Sequence, residues 1–280
     1  MSKLSTIAVL VSLVLPMNAN AQIIDRELRE LIIGSQNLST YCSAGDAGDL
    51  NELQPVPGLY STDGYGSDQA TQKFAWSVMV LGSKALGGDD VAKGALIGLL
   101  SNWANERALL QSDRSHDAAY AMKRTLLPMI VSYSVVRSDL DRDTRNLIDQ
   151  WLDQLVDMAT VQFNGDVDLN NHRYLADSVL AAWGAASDDP ALLDAAEARL
   201  ITALAQQLRD DGSWPLETRR GARALWYTRQ SLASLTFIIS VLEAQGRDPL
   251  AHDDLRAGYE NAMVFFLNGI QNPILVTKYA

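Results

Sequence analysis

Cysteine is nearly absent from this chain: Cys42 stands alone among 280 residues, so no internal disulfide can form and the core must hold the fold. Histidine is almost as scarce, with only His116, His172 and His252. The two residue types do not cluster, so neither a metal nor any other cofactor is expected. Long apolar runs are missing too. The one candidate, Leu4 to Leu15 behind Lys3, is too short for a permanent span, and no later stretch goes without charge for the ~20 residues a transmembrane helix needs. Followed by Pro16 and the small-residue tripeptide Ala19-Asn20-Ala21, that run reads as a signal peptide over residues 1–21, cut before Gln22. The mature protein is then expected in the periplasm or outside the cell, with no membrane attachment. A lipoprotein would place a cysteine after the cut, where Gln22 and Ile23 stand.

Positive charge is also in short supply. Against 34 Asp and Glu there are 23 Lys and Arg, a net charge of −11 that becomes −12 once Lys3 leaves. Nucleic acid and anionic membranes are therefore excluded as natural partners. An anionic polymer would require the few cations to be gathered in one place, so the distribution of Arg and His matters more than their number.

What the chain has in abundance is helical periodicity. Apolar residues return every three or four positions near 69–86, 91–110, 117–137, 142–162, 172–186, 190–209, 219–244 and 253–268. No stretch alternates long enough for a sheet, so the fold class is all-α. Breaks such as Gly87-Gly88-Asp89, Asn164-Gly165-Asp166 and Ser187 to Pro190 carry turn and capping chemistry. Helices joined by such short turns pack as antiparallel hairpins, in either a bundle or an α/α toroid. A further helix near 24–38 precedes the segment from Tyr41 to Ser67, rich in Gly, Pro, Asp and Ser, which reads as a long loop. The expected division is 22–67 for the N-terminal helix and a loop over the cleft, and 68–280 for the helical domain. Trp76, Trp103, Trp151 and Trp183 occupy apolar helical positions and are expected in the core.

Two stretches carry chemistry. In Asp211 to Tyr227, helical spacing puts Arg220, Arg223 and Tyr227 on one face, apart from the apolar stripe of Leu232, Leu235, Ile239 and Leu242. A phenol beside two guanidinium groups is a candidate base, because nearby positive charge lowers a pKa that is otherwise about 10. The plain alternative is that these side chains cover neighbouring surface. In Asp168 to Tyr174, Asn171 and His172 fall at a helix N-terminus, where free N–H groups and the dipole suit a carboxylate ligand. The plain alternative is that Asn171 caps the helix. His116, Lys123 and Arg124 could extend a positive cleft, or decorate a solvated helix end. Trp214 and Trp226 flank the Arg cluster and could stack on sugar rings.

Asn170-Asn171-His172-x-Tyr174, followed by Asp211-Gly212-x-x-Pro215-x-Glu217-x-x-Arg220-Gly221-x-Arg223-Ala224-Leu225-x-Tyr227, resembles the paired signatures of the periplasmic mannuronate-specific alginate lyases. Tyr65-Gly66-Ser67-Asp68 is similar to the segment that opens their first long helix, and the likeness runs from about Cys42 to Leu250. The resemblance implies an incomplete α/α toroid with a deep cleft. It implies that Asn171, His172 and Arg220 neutralise a uronate carboxylate while Tyr227 abstracts the adjacent proton and protonates the leaving oxygen. Substrate contacts are then expected from Tyr65, Ser67 and Asp68, with Arg223, Lys123, Arg124 and Trp214 around them. The partner would be an anionic polysaccharide and the enzyme a monomer. There are departures. The family's Lys before Gly-Ser-Asp is missing, Thr228-Arg229-Gln230 stands where His-Asn-Tyr is usual, and the chain ends at Ala280, sooner than is usual, so that either a toroid short of its last helices or a truncated gene is expected. They leave room for another polyuronide such as glucuronan.

Two rival readings remain open at this point. Paired acids such as Asp89-Asp90, Asp188-Asp189 and Asp253-Asp254 fit caps, but an inverting glycosidase on the same fold would use two separated carboxylates, with Asp168 and Asp177 as candidates. A non-catalytic exopolysaccharide-binding protein is the other.

Overall fold

The computed structural model describes residues 23–35, 45–60 and 69–279; the expected signal peptide over 1–21 and the Tyr65, Ser67 and Asp68 contacts lie outside the described residues. The regular elements are all helical: α1 (Arg26–Gly34), α2 (Gln69–Leu86), α3 (Asp90–Asn105), α4 (His116–Val136), α5 (Arg142–Thr160), α6 (Asn171–Ser187), α7 (Pro190–Ala205), the short α8 (Pro215–Thr218), α9 (Ala224–Ala244), α10 (Asp253–Gln271) and the short α11 (Ile274–Thr277). None of the described helices is long and apolar enough to cross a membrane.

Local signals set these boundaries. Asp89, Asp141 and Asp189 each accept N–H bonds at 2.9 Å from the first turn that follows, so the acids at these helix starts are caps. Pro190 supplies the first residue of α7, where its missing N–H costs nothing. The cores of the helices then pair as hairpins. Helices α2, α4, α6 and α9 stand side by side in that order as an inner layer, while α3, α5, α7 and α10 pack along their outer side. This is the incomplete α/α toroid. Its centre is α6, which buries Tyr174 and everything from Ala176 to Ala186, because a run dominated by Ala, Ser and Gly lets helices approach from all sides. Leu96, Leu126, Ile130 and Leu242 are fully buried, each contributing roughly 1.5–3 kcal/mol.

Three expectations needed correction. Helix α3 ends at Asn105, not near 110, because Arg107 and Leu109 adopt positive φ and the next N–H groups turn to another segment. Leu109, Gln111 and Asp113 donate to the carbonyls of Val56, Pro57 and Leu59, all at 2.9 Å. Gly58 is required there, since a Cβ would lie 2.5 Å from the Gln111 backbone. The described part of the 41–67 loop therefore packs against this connection. Trp76 is 56% exposed, with its indole N–H donated to the Asp46 carbonyl, so it straps the loop rather than filling the core. Trp103, Trp151 and Trp183 are buried as expected. Finally, α9 begins at Ala224, because Gly221 takes a positive φ of 60° and breaks the path between α8 and α9.

Candidate active site

The first wall of the site is the N-terminus of α6. Asn170, not Asn171, is the cap: its side chain accepts the His172 N–H at 2.8 Å. The Asn171 N–H is taken by Glu217 Oε1 at 2.5 Å. The helix end that looked free for a ligand carboxylate is thus occupied by one of the protein's own. The His172 ring lies parallel to Phe163, 5.7 Å between centroids, and meets Tyr120 edge-on at 4.8 Å. Beneath it, Lys123 Nζ donates to the His172 carbonyl at 2.7 Å and sits 3.2 Å over the Phe163 ring. Burial, reinforced by the charges of Lys123, Arg220 and His116, pushes the His172 imidazole down to about 3. The ring is neutral at physiological pH. Burial likewise pulls the Lys123 ammonium down to about 6, against the attraction of Asp168 and Asp177.

The second wall runs from α8 to the first turn of α9. Arg223 caps the start of α9 one turn before Tyr227, in keeping with the helical spacing, whereas Arg220 lies ahead of the turn at Gly221 and reaches Tyr227 from the segment after α8. The Arg220 guanidinium lies 4.2 Å from the Tyr227 ring centroid and donates through Nε to the Leu216 carbonyl at 3.3 Å. On the exposed side, Arg229 stacks on Trp226 at 4.1 Å.

Between the walls lies a cavity of about 830 Å³. Of the residues expected from the sequence, His172, Arg220, Arg223, Arg124, Trp226 and Tyr227 line it, and Tyr120 and Gln230 join them. Tyr120 went unnoticed, although it lies one turn before Arg124 on α4. Asn171 is brought to the same place but is only 4% exposed, behind His172. Lys123 and Trp214 are fully buried, so neither presents a face to a sugar: Lys123 is committed to the His172 carbonyl, and Trp214 packs on Tyr174.

Among the described residues, no carboxylate lines the cavity. Asp177 is buried and paired with Arg199 at 2.5 Å, which removes it as half of a hydrolytic acid pair. Among the described residues, Arg137, Arg199, Arg247 and Arg256 are held in ion pairs, whereas Arg124, Arg220 and Arg223 have none. Buried polar atoms without a hydrogen-bond partner also gather here, at Asn171 Oδ1, His172 Nδ1, Arg173 Nε, Trp214 Nε1 and Glu217 Oε2. Such atoms are rare in folded proteins, and their concentration marks the two motifs as a site held for more than packing.

The family model described as alginate lyase matches residues 51–275. This chain belongs to the alginate lyase family. A polysaccharide lyase of Stenotrophomonas maltophilia is 32% identical over 165 residues, 58% of this chain and 50% of that protein. An alginate lyase of Pseudomonas putida is 31% identical over 164 residues, 55% of this chain and 44% of its own length. The chain thus spans about half the length of these curated relatives. Among solved structures, alginate lyase A1-III of Sphingomonas species A1 superposes with a TM-score of 0.79 at 22% identity, over 94% of this chain and 81% of that one. A histidine-to-alanine variant of alginate lyase A1-III complexed with a tetrasaccharide gives 0.80 at 23% identity, over 94% and 80%. These neighbours share the helical architecture of this family member.

Proposed function

We propose that this protein is a polysaccharide lyase that cleaves an acidic polyuronide, polymannuronate in alginate, by β-elimination. The observation that carries the reading is the charge of the cavity. Three arginines with no acid partner among the described residues converge there, in a chain whose net charge is −11. A surface this acidic repels a polyanion elsewhere and admits it here. The substrate class agrees with the relatives that carry the names alginate lyase and polysaccharide lyase, and with the tetrasaccharide held by variants of a solved neighbour.

The chemistry follows from the residues. The proton to be removed is on C5 of the uronate, next to an ionised carboxylate, and is very weakly acidic until that charge is offset. Arg220 supplies a full positive charge for the carboxylate. His172, being neutral, supplies a hydrogen bond, and Asn171 completes the set from behind it. These groups stabilise the dianion-like carboxylate as it develops. Tyr227 takes the C5 proton, the released electron pair forms the C4–C5 double bond, the C4–O glycosidic bond breaks, and the proton passes to the leaving oxygen. No water is consumed and nothing is oxidised. One residue can serve both ends only where C5–H and C4–O share a face of the ring, as in mannuronate and unlike its C5 epimer guluronate. At the rim, Trp226 with Arg229, together with Arg223 and Arg124, receives the neighbouring sugars. On this reading the enzyme works in the periplasm, as a monomer, after loss of residues 1–21.

The test is ultraviolet absorbance during incubation with polymannuronate, polyguluronate, glucuronan and hyaluronan, beside Tyr227→Phe. An ene-carboxylate signal on polymannuronate that Tyr227→Phe removes supports the proposal. A signal on glucuronan instead would reassign the substrate. Silence on all four from folded protein would leave a binding role.

A further inference from the structure

The three side chains that the proposed reaction relies on come from three separate segments: His172 from α6, Arg220 from the turn after α8, and Tyr227 from α9. One residue ties all three together. Glu217 is fully buried, and its Oε1 accepts both the Asn171 N–H at 2.5 Å and the Ser231 hydroxyl at 2.6 Å. Asn171 is the residue before His172. Ser231 lies one turn beyond Tyr227 on α9, and the Glu217 carbonyl accepts the Arg220 N–H at 3.1 Å.

We infer that Glu217 is the positioning residue of this site, a buried carboxylate that holds the α6 terminus, the Arg220 turn and the Tyr227 helix in register so that their side chains converge on one sugar ring. The inference rests on the lyase reading above.

Packing alone does not explain a carboxyl here. Burying one is costly unless every oxygen is bonded, and Glu217 Oε2 has no hydrogen-bond partner among the described residues. An apolar side chain would fill the space more cheaply, but it would bond neither Asn171 nor Ser231. Hydrogen bonds to a charged acceptor are short and directional, so they fix relative position as apolar contacts do not. Burial pushes the Glu217 carboxyl up, while Ser231, the Asn171 N–H, Arg220 and Arg219 act to keep it ionised. Glu217 does not itself line the cavity, so it acts through the groups it holds.

The experiment compares Glu217→Gln, Glu217→Ala and Ser231→Ala in the full-length protein, by steady-state kinetics on the polymer the wild type cleaves and by NMR of the Asn171 amide and the His172 ring. A misplacement of reacting groups by an ångström costs on the order of 100-fold, so Glu217→Ala should lose about that much in kcat with KM nearly constant. Glu217→Gln, which keeps an oxygen to accept both bonds, should stay within about tenfold, and Ser231→Ala should fall between Gln and wild type. The Asn171 amide should lose its downfield shift in the Ala variant and keep it in the Gln variant. Equal damage in Gln and Ala, or an Ala variant with normal kcat, would overturn the inference. If Glu217→Ala does not fold, the order of Ser231→Ala and Glu217→Gln decides, and loss of kcat without change in KM is still required of Ser231→Ala. A wild type silent on every polyuronide would sink the lyase reading instead. Positioning is then judged by the spectra alone, and unchanged His172 and Asn171 signals in the variants would refute it.

Discussion

Where α6 meets the segment from Pro215 to Tyr227, Asn171 and Glu217 are buried and Glu217 is bonded to both Asn171 and Ser231, whereas at the rim Arg124, Arg223 and Trp226 stand in the open. The inner wall is built for position. Its histidine is neutral, its helix terminus is closed by Glu217, and its arginine sits over the Tyr227 ring. The rim is built for charge: its cations are exposed and have no acid partner among the described residues. In the proposed reaction the rim gathers a polyanion and the inner wall carries out the proton transfer, so changes to the inner wall should appear in kcat and changes to the rim in KM.

The largest break comes from removing the phenol. Tyr227→Phe is expected to lose about 10²–10⁴-fold in kcat, the range for a positioned acid–base group, with far-ultraviolet circular dichroism unchanged. Next is Arg220→Ala, expected to lose on the order of 10²–10³-fold, again mainly in kcat, because the arginine both stabilises developing charge and packs on the tyrosine. Arg220→Lys should recover little, since an ammonium cannot reproduce the flat stacking or the fork of donors. At the rim, Arg223→Ala and Arg124→Ala should each raise KM by roughly tenfold at low salt and much less at 1 M salt, where exposed charges are screened beyond about 3 Å. A kcat loss matching that of Arg220→Ala would erase the distinction between wall and rim. Trp226→Ala, which removes an exposed stacking face, should raise KM by about 3- to 10-fold, as expected of one aromatic contact.

The smallest expected effect is an absence. Because the His172 pKa in the fold is about 3, against 6.5 when free, its imidazole NMR shifts should stay flat from pH 8 down to about 4. The same depression works against the fold in acid. As pH falls below 6.5 the unfolded chain takes up a proton that the folded one refuses, so this contribution to stability declines toward pH 3 and is complete above 6.5. Unfolding midpoints of wild type and His172→Gln across that window should converge, or cross, as acidity rises. A His172 that titrates near 6 would mean that the inner wall is as wet as the rim.

Much of the site was legible from residue order. Asp-Gly-x-x-Pro-x-Glu-x-x-Arg and Asn-Asn-His drew attention to segments that the fold does bring together, and helical period located every long helix to within a few residues. Illegible were the parts that depend on what lies across the gap. Helical spacing put Arg220 and Arg223 on the face of α9, but Gly221 breaks the path ahead of Arg223, so Arg220 reaches Tyr227 from the turn after α8. Trp214 sits beside the arginines in sequence yet points into the core, and Lys123 is buried under His172, bonded to its carbonyl, rather than in the cleft. Tyr120 looked like one more aromatic on an amphipathic helix until α6 placed His172 against its ring.

Composition and period by themselves determined that this chain would be helical, without an internal disulfide, and acidic overall, because those properties depend on local backbone preference and on counting cysteines and charges. Family membership was likewise written in motif order. The tertiary structure alone decided which groups are ionised, which are buried, and which carboxylate closes the α6 terminus. Burial and the distance between charges arise only when segments far apart in sequence, such as Asn171 and Glu217, are brought within a hydrogen bond of each other.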